Sequence, residues 1–221
     1  MHQFRRTIHY AVARAQQQAE DLLFGWWPKI KLEVIRDILS THRPGYSFLA
    51  DPANKLQTSF RVLSRRAFSR EGGFSLKGAS RTKAISYLRG RDRLVRYAYA
   101  AVHLTSGMPA RCEELRVIRW ADTAAVPRNI FIYRGQIILV FSYNKANTNR
   151  NNSFFIVRAP CPAVQKVLFV YLAYIRPFCD FLSRQLQLVT AHSTNPHLFT
   201  VHDDAIACFS PAAEDRFMNQ H

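Results

Sequence analysis

Acidic residues are scarce in this chain. Fifteen Asp and Glu stand against 31 Lys and Arg in 221 residues, leaving a net charge of +16 and a pI near 10.3. A balance this basic points to a polyanionic partner, nucleic acid first among the candidates. Cysteine is scarce too. The four, Cys112, Cys161, Cys179 and Cys208, form no C-x-x-C pair and no metal-ligand spacing. They read as reduced thiols of an intracellular protein, and no metal is expected. No apolar run approaches the roughly 18 residues of a membrane span. The N-terminus is rich in Gln, Arg and Ala rather than in the apolar residues of a secretory signal. No membrane partner is expected. One glycine-containing string, Gly73-Phe-Ser-Leu-Lys-Gly78-Ala79, has alanine where a phosphate loop needs lysine, which excludes an ATP site there. No cofactor is expected.

What the chain does have is apolar mass. Hydrophobic residues make up 48% and aromatics 13%, enough for one sizeable core or two small ones. The spacing predicts a helix over 3–24, ended by Gly25, and a second over 29–39 from Ile30, Val34, Ile35 and Ile38. Phe24, Trp26 and Trp27 are read as packing a helix end against the core in preference to stacking bases. Loop signals fill 40–54. A helix over 55–69 sets Phe60, Leu63 and Ala67 against Arg61, Arg65 and Arg66. Another covers 84–105. The period then changes from helix to strand. Ile130–Tyr133, Gln136–Tyr143 and Ser153–Val157 read as three antiparallel strands, the first two joined at Arg134-Gly135. An amphipathic helix follows over 162–186, kinked or split by Pro177, with Tyr171 and Tyr174 as core residues. The expected fold class is mainly α with a small three-stranded antiparallel sheet (α+β).

The positive charge is uneven. Residues 1–100 hold 19 basic and 7 acidic side chains, and residues 101–221 hold 12 and 8. From Arg61 to Arg96 there are 11 basic residues and 2 acidic ones, interleaved with Phe68, Phe74, Tyr87 and Tyr97. Such a stretch suits sequence-independent contact with phosphates. Arg61, Arg65, Arg66, Arg81, Lys83, Arg89, Arg91, Arg93 and Arg150 are the candidate contacts to double-stranded DNA.

A compact motif lies between these halves, Gly107-Met-Pro-Ala-Arg-Cys-Glu-Glu-Leu-Arg-Val-Ile-Arg-Trp120. A helix starting near Pro109 would place Arg111, Glu114, Leu115 and Ile118 on one inward face. Two readings are open. Arg111 and Glu114 form a structural ion pair, or Glu114 holds the guanidinium ready for a phosphate. Lys145 follows at the second hairpin.

Ala110, Arg111, Glu114, Leu115 and Trp120, followed by a three-stranded sheet with a hairpin lysine, resemble the catalytic domain of tyrosine recombinases of the phage integrase type. Tyr143-Asn-Lys145 and Tyr171-Leu-Ala-Tyr-Ile-Arg-Pro-Phe178 are similar to the recombinase-like region of fungal telomere-linked RecQ-type helicases and related mobile elements. The resemblance implies that Arg111 binds a scissile phosphate, that Glu114 supports it, and that Lys145 protonates the leaving oxygen. It implies a nuclear protein acting in DNA recombination or integration. The family's second box and its nucleophilic tyrosine have no counterpart after Lys145. The expectation is therefore a C-terminally truncated, catalytically incomplete DNA-binding relative. Two alternatives stand beside it: a strand-transfer enzyme completed by a missing segment or partner, and a non-binding fragment or interaction module. The expected division is a basic helical region over 1–78, a partial catalytic domain over 79–186 and an irregular tail over 187–221. Other copies of the chain, or a longer helicase or recombinase chain, are possible partners.

Overall fold

A computed structural model describes residues 2–70, 72–75, 81–107, 111–143, 154–188 and 195–200. Among the described residues six α-helices run in chain order: α1 (His2–Leu22), α2 (Arg61–Ala67), α3 (Arg81–Thr105), α4 (Cys112–Arg116), α5 (Pro162–Val170) and α6 (Arg176–Gln185). Between α4 and α5 lie three strands, β1 (Ile130–Tyr133), β2 (Gln136–Tyr143) and β3 (Phe154–Arg158), in an antiparallel sheet of order β1-β2-β3. The mainly helical fold with a small sheet is the class the periodicity predicts.

The α1–α3 pair is antiparallel. Ala11, Ala15, Ala19 and Leu22 form one buried stripe on α1, and small side chains there let the axes approach. Gly90 on α3 lies against Leu22, whose Cδ2 would be 3.1 Å from a Cβ at that position. Tyr87 donates its hydroxyl to the Leu22 carbonyl at 2.8 Å. An aromatic cluster caps this end: Phe24 stacks on Tyr87 at 5.7 Å, and Phe74 and Phe178 meet Tyr87 edge-on. Trp26 packs edge-on against Tyr174 at 5.7 Å. These rings are packing residues. One contiguous apolar core takes in Ala11, Phe48, Leu63, Val95, Leu139, Phe178 and Leu198. The expected boundary at 78/79 thus falls between elements that share a core.

The sheet follows its alternation. Ile130, Ile132, Ile137, Leu139 and Phe141 are buried on the inner face. Arg134 and Gly135 both have positive φ, 49° and 73°, the pattern of a tight two-residue hairpin turn. A side chain at Gly135 would also meet Glu33 Cγ at 2.9 Å.

The segment 29–39 is not the expected helix. Only a 3-10 turn, Leu32–Val34, forms there, and Ile35 is extended. Its apolar spacing is helical, but distant side chains bind its backbone in an extended form. Asn54 exchanges hydrogen bonds with the Arg36 N–H (2.8 Å) and carbonyl (2.7 Å). The Ile38 N–H donates to Tyr46 Oη at 3.0 Å, and the Ile38 carbonyl accepts from Arg128 at 3.1 Å.

Pro177 splits the last helix rather than ending it. A π-helical turn, Tyr171–Ile175, separates α5 from α6. Proline has no N–H for the Ala173 carbonyl four residues back. Ser59 Oγ sits 2.7 Å from that carbonyl and 2.6 Å from the Leu56 carbonyl, so its one proton serves both.

Part of the expected irregular tail is anchored. Residues 195–200 cross the body as a strap, with Leu198 and Phe199 buried. The Leu198 N–H donates to the Ile118 carbonyl at 2.8 Å, and the Trp120 N–H donates to the Pro196 carbonyl at 2.9 Å. Arg176 donates to the carbonyls of His197, at 2.6 Å, and Asn195. Arg91 donates to the Thr200 carbonyl.

Two outcomes test this packing. Ser59→Ala should lower stability by about 1 kcal/mol in urea unfolding, because a part-buried carbonyl loses its donor; an unchanged midpoint would show that water serves it equally well. The strap should also loosen in acid. Burial, then the nearby Arg119 and Arg176, hold His197 below its usual value of 6.5, against a hydrogen bond to Val117 that raises it. The unfolded chain takes up that proton first, so the stability is full above 6.5 and falls as pH drops toward the depressed value. The protection of the Leu198 amide, its exchange rate relative to the intrinsic rate at each pH, should fall over that range in the parent and much less in His197→Asn.

Candidate nucleic-acid interface

The candidate arginines divide by helical phase. On α3, Thr82, Ser86, Arg89, Arg93 and Arg96 are exposed at alternating steps of four and three, one solvent-facing stripe. Steps of about 6 and 4.5 Å carry its three arginines over the axial rise of about three nucleotides. The neighbouring helix α1 completes this face. Exposed Arg14 donates to Tyr97 Oη at 3.4 Å and lies 5.4 Å from that ring's centroid. Arg93 Nε donates to Gln18 Oε1 at 3.4 Å. Each contact steers a guanidinium while the remaining donors of its five can meet an anion. Carboxylates are few around the stripe, and one of them, exposed Asp21 of α1, acts on Arg14. The one acid of α3, Asp92, is buried, and the acids of α1, Glu20 and Asp21, sit at its C-terminal end. Arg5 and Arg6 are exposed at the other end.

Arg91, an expected DNA contact, is turned into the core. It is 4% exposed, pairs with Asp92 at 3.0 Å and grips the strap. Leu88, Val95 and Ala98, its neighbours along the same helical face, are core residues, so phase turns Arg91 inward. The same phase argument could have separated it from Arg89 and Arg93. Arg81 and Lys83 are exposed at the start of α3. Arg81 is also engaged, donating to the Leu186 carbonyl that ends α6 at 3.2 Å. On α2, Arg61, Arg65 and Arg66 are exposed, with the Arg66 guanidinium 5.2 Å from the Trp26 ring centroid. Arg14 and Arg96 belong to the stripe and were not among the expected contacts.

The Arg111 site departs from expectation. The helix begins at Cys112 and lasts five residues, so Arg111 is its N-cap, with φ −62° and ψ 147°. A one-turn helix cannot carry an i to i+7 face. Leu115 and Ile118 are buried, but Arg111 is exposed rather than turned inward. Glu114 accepts the main-chain N–H of Arg111 at 3.1 Å, so its carboxylate caps the helix backbone. Ala110, Lys145 and Arg150 lie outside the described residues.

Other reactive groups are held inert. Burial pushes the Cys179 thiol up to about 12. Burial also raises Tyr171, whose hydroxyl donates to the Leu198 carbonyl at 3.4 Å. Among the described residues no cluster of three His, Cys, Asp or Glu could hold a metal ion, and no helix is long and apolar enough to cross a membrane. No family model, curated protein or solved structure matches the chain.

The two classes of arginine should separate by mutation. Arg91→Gln removes a buried charge partner of Asp92 and the donor to the strap, and should cost about 3 kcal/mol or more in urea unfolding. Arg96→Gln should stay within about 0.5 kcal/mol. Equal effects would contradict the assignment of faces.

Proposed function

We propose that this chain binds double-stranded DNA through its phosphate backbone, using the α1–α3 face. The observation that carries the reading is the exposed stripe of Arg89, Arg93 and Arg96 on a helix whose one acid is buried, flanked by Arg14, on a chain of net charge +16. The charges stand on two helices that pack tightly through small residues, so they are held as a fixed array. Among the described residues no base-reading element accompanies them, and the affinity should be sequence-tolerant.

The tyrosine-recombinase resemblance supports the same class of partner. In that reading the chain is a catalytically incomplete relative. Exposed Arg111 adds a phosphate contact at the start of α4, and Lys145 adds one beyond β2. The capping role of Glu114 leaves Arg111 a binding contribution.

Fluorescence anisotropy with duplexes of unrelated sequence tests the proposal. Affinity should fall steeply with salt and differ little between sequences. The triple change Arg89→Gln, Arg93→Gln and Arg96→Gln should weaken all duplexes alike and reduce the log–log salt slope by roughly 3. Absence of binding at low salt, or an unaltered slope in the triple variant, would refute it.

A further inference from the structure

The outer face of the sheet is apolar, aromatic and unpaired with any described element at its β3 side. Register places Phe131 opposite Ile138, Val140 opposite Val157, and Ser142 opposite Phe155. Phe131, Ile138, Val140, Phe155 and Val157, with Tyr133 and Gln136, share the face that points away from the core. Phe155 is 68% exposed, Val157 58% and Tyr133 45%. Tyr133 and Phe155 mark the two ends of the face, about 20 Å apart along β2 by the usual rise. The Arg134 guanidinium stands 5.3 Å from the Tyr133 ring centroid.

Charge selects the occupant. Between Asp122 and Asp180 the 57 residues Thr123–Cys179 contain no Asp or Glu and seven Lys and Arg. The carboxylates that approach this sheet come from elsewhere. Asp37 and Asp122 are paired with Arg128, and Glu33 lies against Gly135 at the hairpin end. A second copy of the chain would bring another +16 against this one, which disfavours self-docking. An anionic partner with flat apolar groups satisfies both the rings and the charge. Every nucleobase has such a face, and it becomes accessible when the strand is single.

We infer that the outer face of the β1-β2-β3 sheet is a stacking platform for single-stranded nucleic acid, with Tyr133 and Phe155 under the bases and Arg134 beside the backbone. The inference rests on the chain being a nucleic-acid binder, but it uses a surface separate from the α1–α3 stripe. Duplex DNA keeps its bases stacked on one another, so the platform serves unpaired segments only.

The test uses the full chain with a labelled oligothymidylate of about 15 nucleotides and a duplex of equal length. Stacking energies predict that Tyr133→Ala with Phe155→Ala weakens oligothymidylate binding at least about fivefold per ring, while duplex affinity holds. Phe155→Trp, which keeps a ring, should retain single-strand affinity and guards against a folding artefact. Single-strand affinity unchanged in the double alanine variant would overturn the platform. So would a dimer in sedimentation that this variant dissolves, because the face would then be a contact between copies. If the parent binds neither probe, the DNA-binding reading itself fails. If it binds duplex through the arginine stripe and the ring variants bind oligothymidylate normally, only the platform fails.

Discussion

Arg128 bonds to four separate points of the chain from a fully buried position. Its guanidinium meets Asp37 at 2.8 Å and Asp122 at 2.6 Å, and it donates to the carbonyls of Thr41 and Ile38, each at 3.1 Å. The rings of Tyr46 and Phe131 lie 4.9 and 4.4 Å from its central carbon. Such an ensemble is weak evidence for net stability, because two carboxylates and a guanidinium are all taken out of water. Its consequence is positional. Asp37 has a second oxygen, and that oxygen accepts the Ile132 N–H of β1 at 2.9 Å. The outer edge of β1 is thereby closed by the 35–46 segment. Along β3 no such cover occurs among the described residues. The direction in which the sheet is open is set by one buried arginine.

The chain's positive charge is divided between two kinds of site. Arg91, Arg128 and Arg176 are buried, and each spends its donors on carboxylates or main-chain carbonyls. They tie together segments far apart in sequence: the strap to the helices, and the N-terminal loops to the sheet. The exposed arginines of α1, α2 and α3 make few such bonds. Their charges add to one another and oppose compaction. Apart from the hydrogen bond of Arg93 to Gln18, nothing among the described residues in the packing of the helices calls for a guanidinium at 89, 93 or 96, because the small-residue stripe and the aromatic cluster already join α1 to α3.

Legibility from sequence followed the range of the forces at work. The strands could be read because alternation and the Arg134-Gly135 turn are local, and α3 because its apolar phase persists over many turns. The 29–39 segment could not. Its apolar spacing is as helical as that of α3, yet Asn54, Tyr46 and Arg128 bind its backbone from a distance. Arg111 was misplaced for a related reason: Leu115 and Ile118 are buried as their spacing predicts, but the helix that would have carried Arg111 to the same face stops after one turn. The strap left almost no trace in the sequence. Its partners recognise main-chain carbonyls, which every residue has, and only Leu198 and Phe199 hint at burial. Arg91 was the recoverable miss, since its helical phase matches Leu88 and Val95 rather than Arg89.

Helix and sheet offer complementary chemistry to a nucleic acid. In the proposed reading the stripe of guanidiniums on the helix pair addresses phosphates and ignores bases. The sheet, with exposed rings and Arg134 at its hairpin, would address bases as well as the backbone beside them. A duplex satisfies the first and hides what the second needs; an unpaired strand presents both. The repulsion among uncompensated charges on α1 and α3 and the exposure of Phe155 and Val157 are both unfavourable for the isolated chain. One partner class, polyanionic and carrying flat apolar groups, relieves both at once. A merely acidic protein would answer the charge and leave the rings in water. A merely apolar partner would cover the rings and leave the charge unanswered.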